Sequence, residues 1–264
     1  MKIRRHSKDY NFIGDTITGT TFRWGESFDK NPQYAPWPEL VDISISNHCS
    51  KECDFCYRDS KPDNSFMSLE DYEYLLKQLR HPHWGNVFQV ALGGGEPLEH
   101  PDFIKIIDIT LVYGVIPNFT TNGKYLTNDL IMKLKDKLGA IAISTLDITT
   151  IDKDIIENLK KNRIKCNLHY VLNYYNLDQA VDILSGKYNQ YLRYVNSIIF
   201  LTYKPLRRAD SSRVLKMDKN FPTFVNLVDN NSCSIRIGFD ACFVPMLMHY
   251  TNVDTQIPPA SHVA

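Results

Sequence analysis

Three cysteines stand close together near residue 50, in the run Cys-Ser-Lys-Glu-Cys-Asp-Phe-Cys. Cys49, Cys53 and Cys56 are separated by gaps of three and two residues, so a single loop can wrap all three around a small inorganic cluster. An ordinary [4Fe–4S] cluster is closed by four thiolates. Three thiolates therefore leave one iron without a protein ligand, and such an iron can bind and activate a substrate.

Two other kinds of site use parts of the same run. A structural zinc site needs a fourth ligand, and His48 lies directly beside Cys49, too close in the chain for good tetrahedral geometry. A redox-active dithiol needs only Cys53 and Cys56, and it leaves Cys49 without a role. The spacing favours the iron–sulfur cluster, while zinc binding stays open as an alternative.

Composition narrows the class of protein. The chain has 264 residues, of which 43% are hydrophobic and 23% charged, as in ordinary globular proteins. Its 30 basic and 30 acidic residues cancel, which argues against nucleic acid or a membrane surface as a partner. The sequence contains neither an apolar run of ~18 residues nor a signal peptide. Cysteines clustered in one run indicate metal binding rather than disulfides, so we expect a cytoplasmic protein.

From residue 39 onward, apolar segments with the period of strands alternate with segments of helical period. Ser68 is the predicted N-cap of the first helix. This alternation predicts an α/β fold, either an open doubly wound sheet or a partial (β/α)6 TIM-type barrel over residues 39–205, and the placement of polar motifs after the strands favours the barrel. The six predicted strands are Leu40–Ser46, Val87–Leu92, Val115–Thr120, Ala140–Leu146, Ile164–Leu172 and Val195–Tyr203.

The remaining residues flank this barrel. Residues 1–38 are expected to be an extended N-terminal extension, with a short strand or hairpin at Thr16–Phe22. Residues 206–264 are expected to be a short C-terminal appendage. It contains a predicted helix over Phe221–Val228, and a strand and turn within Cys233–Phe243. Its last eight residues have no periodicity.

The notable polar residues follow predicted strands, where the active sites of such barrels lie. The cysteine run follows the first strand, Gly93–Pro97 the second and Thr120–Gly123 the third. On the fifth strand, a period of two places His169 on a polar face that suits a barrel interior, while Cys166 lies on the opposite, apolar face.

Together these motifs resemble the radical S-adenosylmethionine (SAM) superfamily. The cysteine run, with Phe55 at its aromatic position, is similar to that family's CxxxCxφC signature. The ordered set spans roughly residues 38–210, which is far more specific than any single motif. The other matching elements are Gly94-Gly95-Glu96-Pro97, Thr120-Thr121-Asn122-Gly123, Ser144-Thr145-Leu146-Asp147 and Tyr203-Lys204-Pro205 with Arg207-Arg208.

The resemblance implies a catalytic [4Fe–4S] cluster held by the three cysteines, with SAM chelating the fourth iron. It implies reductive cleavage of SAM to a 5′-deoxyadenosyl radical, which abstracts hydrogen from a substrate. Gly94, Gly95 and Asn122 are expected to border the cofactor, and Phe55 to lie against the adenine. Glu96 is expected to serve the SAM amine or a neighbouring turn.

For two cofactor contacts the sequence leaves alternatives. Depending on the register of the fourth strand, either Ser144 or the pair Thr145 and Asp147 is expected to contact the ribose. His169 contacts SAM or the substrate, or it is a hydrogen-bonded core histidine.

The substrate is expected to be a peptide or protein, as for the maturases of this family. Cys233 and Cys242 loosely resemble the opening of the cysteine-rich, SPASM- or twitch-like region that holds auxiliary clusters there, but the expected later cysteines are absent. The region is therefore truncated, reduced, or contains two structural cysteines. A flavodoxin or ferredoxin is the expected electron donor. The alternatives are modification of a small molecule, nucleotide or RNA, and a non-catalytic iron–sulfur or zinc protein.

Overall fold

The computed structural model describes residues 2–217 and 220–251, and the last eight residues lie outside these ranges. The strands are β1 Lys2–His6, β2 Asn11–Asp15, β3 Thr21–Trp24, β4 Leu40–Ser46, β5 Arg80–His81, β6 Gly85–Asn86, β7 Gln89–Gly94, β8 Ile116–Thr121, β9 Ile141–Thr145, β10 Cys166–Leu172, β11 Ser197–Thr202 and β12 Arg236–Phe239. The helices are α1 Leu69–Gln78, α2 Phe103–Val112, α3 Asn128–Leu134, α4 Lys153–Lys161, α5 Leu177–Leu184, α6 Asn189–Leu192, α7 Phe221–Asp229 and α8 Val244–Thr251.

Seven strands form the main sheet, in the order β4-β7-β8-β9-β10-β11-β12. The pairs β4–β7, β7–β8, β10–β11 and β11–β12 are parallel, as the predicted strand–helix alternation requires. The α/β class is confirmed, and all six predicted strands are present with ends shifted by up to two residues. Ser68 also caps α1, because its hydroxyl accepts a hydrogen bond from the Asp71 amide at 3.0 Å.

The prediction for the C-terminal appendage was incomplete. The predicted strand and turn are present, but β12 also joins the main sheet as a seventh strand beside β11. Aromatic packing explains its position. The Phe239 ring stacks 5.6 Å from Phe200 on β11 and 5.1 Å from Phe243, centroid to centroid. These large apolar rings pack β12 against the sheet, and α7 lies between β11 and β12 in the chain.

The N-terminal segment is more regular than an extended chain, and the hairpin predicted around Thr16–Phe22 is present as β2, its turn and β3. Strands β1, β2 and β3 form an antiparallel sheet, and residues 16–20 make the turn between β2 and β3. Phe12 packs edge-on against Phe88, which directly precedes β7, at 5.3 Å between ring centroids. Buried Arg5 donates hydrogen bonds to the carbonyls of Pro38 and Asn86, just before β4 and β7. The small sheet therefore covers the amino ends of β4 and β7, opposite the end that carries the motifs.

The chain divides into two compact units. The first consists of residues 1–50, 60–121 and 129–141, and the second of residues 51–59, 122–128 and 142–264. This division differs in kind from the predicted segments 1–38, 39–205 and 206–264, which stay a prediction. None of the described helices is long and apolar enough to cross a membrane.

Candidate cluster and cofactor site

In the first unit, hydrogen bonds fix the backbone on both sides of Cys49. The Cys49 amide donates to the Lys61 carbonyl at 3.1 Å. The Glu99 carboxylate lies 2.7 Å from Nε2 of His48, and it accepts hydrogen bonds from the Ser50 amide at 3.1 Å and the Ser50 hydroxyl at 2.8 Å. The Glu99 side chain is only 8% exposed, so water competes little for these contacts. One carboxylate thus holds both neighbours of the first cysteine.

This arrangement bears on the zinc alternative. Nε2 of His48 already faces Glu99, so the one histidine beside the cysteine run is engaged elsewhere.

Gly94, the last residue of β7, and Gly95, which follows it, approach the end of β4 very closely. A Cβ on Gly94 would lie 2.0 Å from the Ser46 carbonyl oxygen, and one on Gly95 would lie 2.0 Å from the His48 carbonyl oxygen. Gly94 also has φ +116°, a conformation that favours glycine. By contrast, a Cβ on Gly93 would meet nothing within 4 Å. Gly94 and Gly95 therefore let β7 pack against the start of the cysteine loop, and Gly93 borders open space.

Glu96 is almost completely buried, with 1% exposure, and its carboxylate serves the neighbouring turn. Its Oε1 accepts hydrogen bonds from the Leu98 amide at 3.1 Å and from the buried Thr121 hydroxyl at 2.7 Å. Its own amide donates to the His48 carbonyl at 2.8 Å. Of the two roles predicted for Glu96, the structure shows the one in the turn, and contact with the SAM amine stays a prediction.

Cys53 and Cys56 belong to the second unit and lie in a tight turn. The Cys56 amide donates to the Cys53 carbonyl, and the Asp59 amide donates to the Cys56 carbonyl, both at 3.2 Å. Both thiols are partly exposed. Cys166 differs, because burial raises the pKa of its thiol to about 12 and so disfavours the thiolate that a metal requires. Its position on the apolar face of β10 agrees with the predicted period of two.

Arg208, from the segment after β11, lies beside Cys56. Burial lowers the pKa of its guanidinium. The Cys56 sulfur and the negative charge of Asp59 raise that pKa by more than burial lowers it, so the net shift is upward. A fixed positive charge next to a thiolate ligand favours the deprotonated thiol. The sequence motif included Arg208 but did not indicate which loop it contacts.

Two of the predicted cofactor residues lie in turns that their own side chains stabilise. The Asn122 side-chain oxygen accepts a hydrogen bond from the Lys124 amide at 2.9 Å. Oδ1 of Asp147 accepts from the Thr149 amide at 2.9 Å and from Gln179 Nε2 at 2.7 Å. Burial raises the pKa of the Asp147 carboxyl. The hydrogen bonds lower it by more than burial raises it, so the pKa is below its ordinary value. Asp147 is therefore an ionised cap of the turn after β9.

The other predicted cofactor contacts are less constrained. Ser144, near the end of β9, and Phe55 are partly exposed. His169 retains some exposure on β10, yet desolvation lowers its pKa from 6.5 to about 4, so it is neutral at pH 7. A neutral imidazole can both donate and accept a hydrogen bond, which suits a polar ligand as well as a core position.

Cys233 and Cys242 flank β12 in the second unit. Cys233 is partly buried, which raises the pKa of its thiol, and Cys242 is exposed. Their different environments do not by themselves indicate a shared ligand.

The residues around the cysteine run fit a cluster with an open iron. Thiolates are the donors that iron–sulfur clusters use. Cys49, Cys53 and Cys56 are each partly exposed, and within the first unit Gly93 borders open space. Sequence reasoning missed Glu99, because only its proximity to the glycine motif could have indicated a role.

Known proteins match this chain at the level of family and fold. A sequence profile described as the Radical SAM superfamily matches residues 43–185. Mycofactocin maturase MftC of Mycobacterium tuberculosis is 31% identical over 98 residues, which are 37% of this chain and 24% of the maturase. A probable GTP 3′,8-cyclase of Saccharolobus solfataricus is 29% identical over 168 residues, covering 57% of this chain and 53% of the cyclase. The matches thus span between a quarter and about half of these relatives.

Solved structures share the fold at low sequence identity. Streptococcus suis SuiB has a TM-score of 0.64 and 12% identity, covering 98% of this chain and 75% of SuiB. The enzyme anSMEcpe, crystallised with AdoMet and a Cp18Cys peptide, has a TM-score of 0.56 and 18% identity, covering 76% of this chain and 63% of anSMEcpe. At these identities the likeness concerns the fold alone.

Proposed function

Because this chain belongs to the Radical SAM superfamily, whose members use a [4Fe–4S] cluster and SAM, we propose that Cys49, Cys53 and Cys56 hold such a cluster. The observation that carries this proposal is that both neighbours of Cys49 are held to the segment after β7: Glu99 contacts His48 and Ser50, and Gly95 closely approaches His48. A plain zinc knuckle needs no such second element.

When bound, the cluster would supply one electron to SAM, whose broken carbon–sulfur bond would leave methionine and a 5′-deoxyadenosyl radical able to abstract hydrogen from the substrate. The chain positions the groups that meet the cofactor. Phe55 offers an apolar face to the adenine. Ser144 would contact the ribose, while Oδ1 of Asp147 caps the turn that follows β9. Gly93, rather than Gly94 or Gly95, provides the Cβ-free face toward SAM.

The proposed substrate is a peptide or protein. One relative in sequence is a maturase by name, and the fold is shared with enzymes crystallised with peptides. His169 is placed on the polar face of β10, where a neutral side chain can hydrogen-bond an amide. A flavodoxin or ferredoxin supplies the electron, in the cytoplasm. We also propose that the chain is organised as predicted, into an N-terminal extension, a barrel and a C-terminal appendage.

A nucleotide is the second candidate substrate. The observation that favours it is the longer alignment with the probable GTP 3′,8-cyclase, which covers 57% of this chain against 37% for the maturase. The two substrate classes are separable by supplying SAM in excess and comparing deuterium transfer into 5′-deoxyadenosine from labelled peptides and from labelled GTP.

The cluster assignment is tested by two cysteine substitutions made under strict exclusion of oxygen. Cys53→Ala removes one proposed ligand, so we expect loss of the iron–sulfur absorption and of 5′-deoxyadenosine formation from SAM and reductant. Cys166→Ala is the matched control, since Cys166 is buried, and a small core truncation costs about 1 kcal/mol without touching the loop.

Two results would overturn the assignment. Unchanged iron content and 5′-deoxyadenosine yield in Cys53→Ala would show that Cys53 is not a ligand. Wild-type protein that binds zinc in preference to iron after anaerobic reconstitution would favour the structural alternative instead.

A further inference from the structure

We propose that Arg207, Arg208 and Arg213 are positioning residues that hold the second and third cysteines in the geometry needed for the cluster. These arginines belong to residues 204–213, called here the arginine segment. Their targets belong to residues 51–59, called here the distal loop, which contains Cys53 and Cys56. Insofar as it concerns the cluster, this inference rests on the proposed function.

The strongest contact joins Arg213 to Asp54, the residue that follows Cys53. Both terminal nitrogens of the guanidinium face both carboxylate oxygens, with Nη1 at 3.4 Å from Oδ1 and Nη2 paired with Oδ2. This two-point geometry restricts orientation as well as distance. Asp54 is 67% exposed, so the pair cannot be explained as compensation for a buried charge.

Two further arginines contact the other end of the distal loop. Arg208 Nε lies 3.1 Å from the Asp59 carboxylate, three residues after Cys56. Arg207 Nη1 donates to the Arg58 carbonyl at 3.0 Å. The contacts therefore reach both sides of the Cys53–Cys56 turn and a backbone atom that follows it.

A lysine adds a fourth contact. The Lys204 ammonium lies 5.2 Å from the centroid of the Tyr57 ring, within range of a cation–π interaction. Tyr57 directly follows Cys56, so this contact also falls on the distal loop.

The arginine segment is itself anchored, which makes it suitable as a support. Asp210 caps the short turn that carries Arg213, accepting a hydrogen bond from the Ser212 amide at 2.7 Å. The buried Tyr203 side chain donates to the Asp210 carbonyl at 3.0 Å. The Arg213 carbonyl accepts from the Tyr174 amide at 3.0 Å. A support whose own backbone is fixed lowers the entropy cost of ordering the loop.

The charges explain why the loop needs this support. Asp54 directly follows Cys53 and Asp59 lies three residues after Cys56, so the distal loop carries two negative charges beside ligands that are themselves negative when a cluster is bound. Arg213 and Arg208 pair with these two carboxylates. Hydrogen bonds and charges at cluster sulfurs also set the reduction potential of iron–sulfur centres.

The first experiment uses the full chain without cluster and measures hydrogen–deuterium exchange in peptides that cover residues 51–59. We expect Arg213→Ala and Arg208→Gln each to speed exchange there by about two- to fivefold, as for loss of one exposed ion pair. Asp54→Ala should match Arg213→Ala, and the double variant should add little. Arg236→Ala, which removes an exposed arginine on β12 in the same unit, is the matched control.

The second experiment reads the reconstituted cluster. Arg208→Gln should release iron to a chelator faster than wild type and should shift the midpoint potential of the cluster to a more negative value, because a cation near the sulfur is lost. The melting temperature of Arg208→Gln should equal that of the control variant Arg236→Ala. This comparison separates a positioning role from general destabilisation.

The outcomes distinguish the two proposals. Unchanged loop exchange in Arg213→Ala and Arg208→Gln, or equal acceleration in Arg236→Ala, overturns the positioning role while the cluster assignment stands. Faster exchange in the variants, with iron release and midpoint potential as in wild type, would show that the contacts hold the loop without affecting the cluster. That result also overturns the positioning role. If wild-type chain fails to bind iron, the proposed function fails, and the exchange data still report whether the contacts hold the loop.

Discussion

Gly95 provides the sharpest test of how the glycine turn works. In Gly95→Ala the new Cβ would lie 2.0 Å from the His48 carbonyl oxygen, whereas real Cβ contacts are essentially never shorter than 3.0 Å. The turn and the start of the cysteine loop must therefore separate by about 1 Å. A shift of that size stretches the Glu96-to-His48 hydrogen bond, now 2.8 Å, beyond the range of a normal bond.

The cost follows from these lost contacts. Two backbone hydrogen bonds join the turn to the loop, from Gly95 to Ser46 and from Glu96 to His48, and each contributes about 1 kcal/mol. Overpacking strain adds roughly 1–3 kcal/mol. A total of about 3–5 kcal/mol corresponds to a fall in melting temperature of roughly 10 °C for a protein of this size.

Gly93→Ala is the matched control, because its Cβ would meet nothing within 4 Å. Thermal unfolding of both variants without cluster measures the structural effect, and SAM binding to reconstituted protein measures the cofactor effect. We expect Gly95→Ala to melt early, and Gly93→Ala to melt like wild type but to bind SAM more weakly. A Gly95→Ala melting temperature within about 1 °C of wild type would refute the steric reasoning, since even one lost hydrogen bond shifts it further.

Two further predictions concern the same site. Glu99→Gln keeps the shape of the side chain but removes the charge that holds the residues on both sides of Cys49. We therefore expect the free energy of unfolding to fall by about 1–2 kcal/mol and iron release to a chelator to become roughly tenfold faster. Equal release rates in the variant and wild type would contradict this role. For His169, the folded-state pKa of about 4 lies below the ordinary 6.5, so the native state binds fewer protons than the unfolded chain as pH falls through this window. The contribution of His169 to the free energy of unfolding should therefore be fully present above pH 6.5 and should decline as the pH falls toward 4. The slope is at most about 1.4 kcal/mol per pH unit, and it is smaller here because the ring is partly exposed. Urea denaturation at pH 5 and pH 7 should show a smaller decline in His169→Gln, and an equal decline in both proteins would rule out His169 as the cause.

Much of the barrel was predictable because its signals are local. The period of two on β10 correctly separated Cys166 from His169, since alternate side chains of a strand point to opposite faces. Ser68 was identified as a helix cap because capping depends on residues only three positions away. Of the small N-terminal sheet only the hairpin was predicted, because the packing of the sheet depends on contacts such as Phe12 with Phe88, far away in the chain.

Local spacing was enough to identify the three cysteines, the order of the motifs and the alternation of strands and helices, because each is encoded within a few neighbouring residues. The tertiary structure alone decided which groups support those cysteines. Glu99 meets Ser50 across 49 positions, and Arg213 meets Asp54 across 159. It also decided that Gly94 and Gly95 face the backbone after β4 while Gly93 faces open space, since close approach between strands depends on how the sheet assembles.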